Sequence, residues 1–281
     1  MEGDKVCNSY ARGLAFLLLL PGAAHAARLE PSTSKAWDGY VEATNLRLQQ
    51  RLIAGNSFLW VDEAPDRLRR VRAGEIVVSP VGQSPAKVPS GLIHDWIGAV
   101  FIPHATLNDV LKVARDYARY KVLYRPVVID SKVISTGETE DRFSMLLLTK
   151  SAFLKTAMDA DYEASYVHVD NQRVYSVSRT TRIQEIEGYG TPSQRMQSEG
   201  EGIGLIWRIE SITRYVERDG GVYIEFEVIG LSRDIPSSLR WLVEPLVRRA
   251  SRRSLWTSLR QIQSAVSLGT ESSSARQARF P

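Results

Sequence analysis

The sequence predicts an α+β fold, with a curved antiparallel sheet of seven strands wrapped around one long C-terminal helix. Three observations predict it. Ile203 to Arg218 and Val222 to Arg233 are β-rich runs joined by Asp219-Gly220-Gly221. A turn containing Asp-Gly between two such runs is a strong hairpin signal, because its glycine accepts positive φ. Pro236-Ser237-Ser238 then opens a helix whose apolar residues are Leu239, Leu242, Val243, Leu246, Val247 and Ala250. Their i, i+3, i+4 spacing makes one stripe that has to be buried. Between Gly91 and the hairpin, finally, strands follow one another through short turns with a single helical segment among them, which excludes a doubly wound parallel sheet. A single sheet of this length has to curl, and the closing helix then covers its concave side.

The elements follow in order. Leu14 to Leu20 is a short apolar core, Pro21-Gly22 breaks it, and Ala24-His25-Ala26 is an A-x-A site. Residues 1–26 therefore read as a signal peptide, and the mature chain as exported from near Ala27 to the periplasm or the extracellular space. The apolar core is too short to span a bilayer. Cys7, the only cysteine, lies inside this segment, so the mature protein is expected to have no disulfide, thiol chemistry or cysteine metal site.

Residues 27–90 read as an N-terminal helical extension. It holds a helix from Lys35 to Ala54 ended by Gly55-Asn56, a short apolar run from Phe58 to Val61, and a basic stretch from Asp66 to Arg72. An edge strand within Gly74 to Val81 and a Pro- and Gly-marked loop from Ser79 to Ser90 complete it. Residues 91–268 read as the main domain. Leu92 to Ile102 is its first strand, stopped by Pro103, and Thr106 caps a helix carrying Leu107, Val110 and Leu111. Val127 to Ser135, Arg142 to Thr149, Phe153 to Val169 and Arg173 to Ile186 are the next strands, and Asp170-Asn171 turns between the last two. Glu187 to Gly202 is a glycine-rich loop, long for a connection between paired strands, and the expected door to any cavity. Residues 269–281, Ser-rich and without apolar spacing, read as a disordered tail.

Composition narrows the function classes. A chain with 43% hydrophobic and 24% charged residues is that of a soluble globular protein. Its net charge of +4 is spread along the chain, with no basic motif interleaved with aromatics, so no nucleic-acid partner is expected.

Two blocks carry a family resemblance. WIGAVFIPHATLNDVLKVARDYARY, from Trp96 to Tyr120, is followed by YRPVVIDSKVI, from Tyr124 to Ile134; WRIESITRYVERDGGVYIEFEVIGLSRDIPSSLRWLVEPLV runs from Trp207 to Val247. In order and pattern these resemble the helix-grip fold of the START and birch-pollen-allergen (SRPBCC) superfamily, which includes polyketide-cyclase-like and lipid-transfer proteins. The resemblance implies a deep, largely apolar cavity between sheet and helix, suited to a lipid or another hydrophobic small molecule. Residues 27–90 have no counterpart in it.

Candidate ligand contacts follow from the period-two alternation of strands. Leu205, Trp207 and Ile209 share one face, with Ile203 before them, and Arg208, Glu210 and Arg214 the other. On the next strand Val222, Ile224, Phe226 and Val228 point inward and leave Glu225 and Glu227 outside. Leu205, Trp207, Ile209, Ile224 and Phe226 are thus expected to line the cavity, with Leu239 and Val243 from the helix and Trp96 from the first strand. On Arg173 to Ile186 neither face is cleanly apolar, since Tyr175, Val177, Arg179 and Thr181 alternate with Ser176, Ser178, Thr180 and Arg182. One polar set lines the cavity or the face is solvated. Tyr175 and Arg179 join the candidates on the first alternative, because arginine can hold a carboxylate or phosphate through two parallel hydrogen bonds.

His94, His104 and His168 lack metal-ligand spacing, and there is no G-x-S-x-G elbow, so neither a cofactor nor a catalytic residue is assigned. Arg248, Arg249, Arg252 and Arg253 form either a solvated helix face or a transient contact with an anionic membrane surface. Pro245 should bend or break the helix that carries them. The expected function is binding of a hydrophobic small molecule, above all a lipid, without catalysis. The alternative is a cyclase- or hydrolase-like enzyme on the same fold, with Arg179 and His94 as its polar candidates.

Overall fold

The computed structural model describes residues 27–150 and 155–277. Its strands are β1 (Ala27–Arg28), β2 (Val77–Pro80), β3 (Ala86–Val88), β4 (Gly91–Pro103), β5 (Val128–Thr136), β6 (Glu140–Lys150), β7 (Lys155–His168), β8 (Arg173–Glu187), β9 (Arg195–Met196), β10 (Glu201–Gly202), β11 (Arg208–Arg218) and β12 (Gly221–Arg233). Its α-helices are α1 (Pro31–Leu52), α2 (Pro65–Arg72), α3 (Leu107–Ala114), α4 (Tyr120–Leu123) and α5 (Ser237–Gln277). The main sheet runs β2-β4-β12-β11-β8-β7-β6-β5, with β3 beside β4 and β9 beside β8; β1 and β10 form a separate pair. Every pairing is antiparallel. The seven long strands are those expected, in one sheet.

Local chemistry sets the joints. Asp219 and Gly220 adopt φ of 58° and 77°, and Arg218 pairs with Gly221, so the Asp-Gly hairpin forms where the turn residues place it. Thr106 and Asp109 make a reciprocal capping box that starts α3. Between β7 and β8, Asp161 faces Arg182 but Tyr162 faces Thr180, so Thr181 is an extra residue and the side-chain alternation of β8 reverses there. That bulge is why neither face of β8 reads as cleanly apolar.

α5 carries two adjoining stripes. Val243 packs with Leu92 and Ile235, while Leu255, Leu259 and Val266 join Trp96, Val100, Ile102, Val222 and Ile224 in the largest apolar cluster. The helix comes so close to β4 that a Cβ on Gly98 would lie 2.7 Å from Leu259 Cδ1. It continues through Pro245, whose ring removes one helix donor, and on through residues read as a tail as far as Gln277.

Residues 31–73 form a third layer on the opposite side of the sheet, while β2 and β3 extend the sheet itself. Leu48 of α1, Phe58, Leu59, Val61 and Val71 of α2 bury the outer side chains Ala99, Phe101, Ile212, Val216 and Tyr223. Farther along, Trp37 of α1 packs with Ile93, Trp207, Ile229 and Leu231. Glu225 and Glu227 do point away from the cavity, as the alternation requires, but this layer buries them. The basic stretch from Asp66 to Arg72 is helical, and β3 forms inside the segment read as loop.

β11 begins at Arg208, five residues later than the sequence suggests. Gly202 and Gly204 take φ of 126° and 70°, and the Glu185 carboxylate accepts the N–H groups of Ile203 and Leu205 at 2.7 and 2.9 Å. A carboxylate gripping alternate backbone donors pulls this stretch out of the ladder.

Candidate functional site

A cavity of about 770 Å³ lies between α5 and the concave face of the sheet. β6 contributes Phe143, Met145 and Leu147, and β7 contributes Tyr162, Ala164 and Tyr166, each by period-two alternation. α3 adds Val110, Val113 and Ala114, and Tyr117, Tyr120 and Tyr124 close one end. From β12 come Phe226 and Val228, and from α5 a stripe of Leu246, Ala250, Ser254, Thr257, Ser258 and Ile262.

The aromatic end wall is braced. Tyr117 and Phe143 stack with ring centres 4.1 Å apart, and Phe143 stacks on Tyr162 at 5.0 Å. Behind them the Tyr117 hydroxyl donates to buried Asp141 at 2.9 Å, and Arg115 donates two bonds of 2.7 and 2.8 Å to the same carboxylate. Such bidentate pairing fixes the wall's geometry. Burial raises the phenol pKa of Tyr117, Tyr120, Tyr124, Tyr162 and Tyr166, so each stays neutral at physiological pH.

One side of the cavity is polar without being charged. Ser176 and Ser178 of β8 and Ser211 and Thr213 of β11 line it there. The mouth lies where lining residues reach solvent: Val127 is 46% exposed, and Arg249, Ala250, Arg253 and Ser254 are exposed along α5. None of Glu187 to Gly202 lines the cavity; β9, β10 and the Glu185 contacts tie that segment down elsewhere. The expected door is therefore not at this mouth.

A long helix laid across the concave face of one curved, open antiparallel sheet decides the architecture. The chain adopts the helix-grip fold. The arrangement is similar to that of a STAR-related lipid transfer protein from Xanthomonas axonopodis, which is 17% identical, with 67% of this chain and 98% of that one covered and a TM-score of 0.43. It is similar also to human STARD10, at 10% identity, 82% and 89% coverage and a TM-score of 0.44. A third is the Zhui aromatase/cyclase from Streptomyces sp. R1128, at 8% identity, 62% and 94% coverage and a TM-score of 0.41. No family model matches the chain, and no curated protein matches it. The fold assignment rests on the strand order and the helix across it, not on these values.

In this helix-grip frame the sequence candidates divide. Ile209 and Phe226 line the cavity. Trp96 and Ile224 share its face of the sheet but sit beneath α5 in the apolar cluster, where the helix already fills the space. Leu239 and Val243 pack on Leu92 and Ile235 at the start of α5, away from the mouth. Tyr175 lies on the opposite face, beneath the N-terminal layer with Ile212 and Tyr223, because the inward set of β8 before its bulge is the even one. Arg179 shares that outward direction and donates to Glu163 at 3.1 Å. Leu205 and Trp207 precede β11, so strand alternation does not govern them; Trp207 is buried against Trp37.

The candidates for an enzymatic alternative, Arg179 and His94, do not line the cavity. His94 lies 2.8 Å from Ser232 Oγ, and burial lowers its pKa to about 4, so the ring is neutral. The lining residues that went unassigned had visible signals: the odd positions of Arg142 to Thr149, the tyrosines at three- and four-residue spacing after α3, and Leu246, Arg249, Ala250 and Arg253 on one helix face.

Proposed function

We propose that this helix-grip protein binds a hydrophobic small molecule, a lipid in the first instance, inside the cavity. The observation that carries the proposal is a braced, mostly apolar and aromatic space of about 770 Å³ with an opening to solvent. That volume is in the range of ligand pockets, and a well-packed interior otherwise holds few voids larger than a water molecule. The hydroxyls of Ser176, Ser178, Ser211 and Thr213 supply the few oriented polar groups that such a pocket uses for specificity.

Two finer readings belong with it. Residues 1–26 lie outside the described residues, and their reading as a signal peptide makes export part of the proposal; N-terminal sequencing of the mature protein should give Ala27 first. The outer side of α5 exposes Trp241, 77% accessible, together with Arg252, a combination that supports contact with an anionic bilayer during ligand exchange.

Native mass spectrometry of the gently purified protein tests the binding reading. The expected spectrum contains a complex heavier than the apoprotein by the mass of a lipid-sized molecule, which organic extraction releases. A protein that purifies only as apoprotein, and takes up no fatty acid or phospholipid when supplied, would refute it.

A further inference from the structure

We infer that the ligand of this cavity carries an uncharged oxygen, a hydroxyl or a carbonyl, which docks on the opposed pair Ser178 and Ser211 in the floor of the sheet. The inference rests on the cavity-binding reading and narrows its ligand class. Ser211 of β11 lies directly opposite Ser178 of β8, and both line the cavity. The register carries this row on to Val228 of β12 on one side and to Ala164 of β7 on the other. Two hydroxyl-bearing residues thus sit side by side in a floor that is apolar to either side of them.

The other hydroxyls of this part of the floor have neighbours of their own. Thr180, at the bulge of β8, accepts the N–H of Ile209 at 3.0 Å and donates to the same residue's carbonyl at 3.2 Å. Ser176 and Thr213, the opposed pair one row along, lie beside the buried Tyr215 phenol. Among the described residues no side-chain hydrogen bond reaches Ser178 or Ser211, and both are half-buried on the concave face, where the space before them is the cavity.

A hydroxyl set among apolar side chains costs stability unless water or a ligand oxygen completes its bonding. Directly opposite residues hold their Cβ atoms about 5 Å apart, so one ligand oxygen between the two serines reaches both. Each hydroxyl donates and accepts, which suits an alcohol and a carbonyl alike. The floor does not suit an anion. None of the described lining residues of β6, β7, β8, β11 and β12 is charged, and a buried charge without a counter-charge is strongly disfavoured. Arg249 and Arg253 belong to the opposite wall, where both are exposed to solvent. An amphiphile with its oxygen on the serine pair lays its apolar body over Ala164 towards Phe143 and Tyr162.

Displacement of diphenylhexatriene, a hydrocarbon dye without oxygen, tests this with dodecanol, chlorododecane and laurate as competitors of equal chain length. The S178A/S211A variant should bind dodecanol about tenfold more weakly than the wild type does, the order of one to two net neutral hydrogen bonds. Its affinities for the dye, chlorododecane and laurate should stay unchanged, and S178A and S211A alone should each lose part of the dodecanol affinity. The single variants decide the matter if the double variant does not fold. Folded variants in which dodecanol and chlorododecane change alike, or neither changes, would overturn the inference and leave the cavity reading standing. A loss for laurate as large as that for dodecanol would overturn the uncharged class. A wild-type protein that binds neither the dye nor any competitor would overturn the cavity reading and this inference with it.

Discussion

Arg214 is only 1% exposed, a charged side chain sealed between the sheet and the N-terminal layer. It donates to Glu225 at 3.0 Å and to Glu227 at 3.1 Å, and the N–H of Val61 also reaches Glu225. Asp95, nearby on β4, accepts from the Tyr40 hydroxyl at 2.8 Å, while Arg47 of α1 approaches Asp95 and Glu227 at 3.5 and 3.7 Å. Removing one member of such a group strands its partners in low dielectric. Arg214→Ala should therefore destabilise the protein by about 3–5 kcal/mol, read from denaturant unfolding. A loss below about 1 kcal/mol would mean that water reaches the carboxylates.

The same group makes stability depend on pH. Burial, and then the charge of Glu227, raise the pKa of Asp95 to about 7; burial raises Glu225 to about 7 against the opposing pull of Arg214. A carboxyl whose folded pKa exceeds its unfolded value binds its proton more tightly when folded. Its contribution is present below the unfolded value and is lost as pH rises to the folded one, here from about 4 to about 7. The loss for Asp95 is on the order of 4 kcal/mol. Thermal midpoints of Asp95→Asn should fall less steeply than those of the wild type across that window, because the variant has no proton to lose. Parallel curves would show that Asp95 does not drive the effect.

Gly98 marks the tightest helix–sheet contact. A methyl group there would meet Leu259 Cδ1 at 2.7 Å and the Val77 carbonyl oxygen at 3.1 Å. Gly98→Ala should cost about 1–3 kcal/mol by overpacking, with Leu259→Ala restoring part of the loss in the double variant. If the two changes simply add, the contact is not what constrains this position.

How far these elements could be read in advance follows from the physics of each. The β11–β12 hairpin and the cap of α3 are local, and turn residues and a capping pair announce them. The alternation that places Phe226 in the cavity also places Glu225 and Glu227 outside it correctly. That they are buried could not be read, because their partners Arg214, Arg47 and Val61 lie from 11 to 180 residues away in the chain. The bulge at Thr181 hid the inward set of β8, since a single extra residue reverses the parity on which the reading depends. Trp207 was misplaced because Glu185, on another strand, holds the segment before β11 off the ladder. The cavity-facing arginines of α5 were visible as a cluster, but the rotation of the helix against the sheet decides which of them face inward.

The molecule is a sheet with a different occupant on each side. Outside, the N-terminal layer covers apolar and charged residues alike; inside, α5 covers β4 and leaves the far part of the concave face open as the cavity. The concave face is thus shared between the α5 cluster and the cavity, whereas the outer face is packed by the N-terminal layer. A chain beginning at Gly91 would expose Ile212, Tyr223, Arg214 and Glu225 together, and it should aggregate or fail to fold rather than survive as a minimal binding domain. A soluble, cooperatively unfolding product of that truncation would contradict the structural role given to residues 27–90.

The claim that this cavity takes up an apolar ligand is tested most directly by blocking it. Ser211 lies mid-strand on β11 with its side chain facing the open space, so the indole of Ser211→Trp would enter that space without displacing a packed neighbour. Nile red titrations of the wild type and of Ser211→Trp, each with its thermal midpoint, are the measurement. The predicted result is an affinity at least about tenfold lower in the variant at an equal or higher midpoint, because the indole fills volume and gains contacts. Unchanged dye affinity in a folded Ser211→Trp protein would place binding elsewhere and contradict the account.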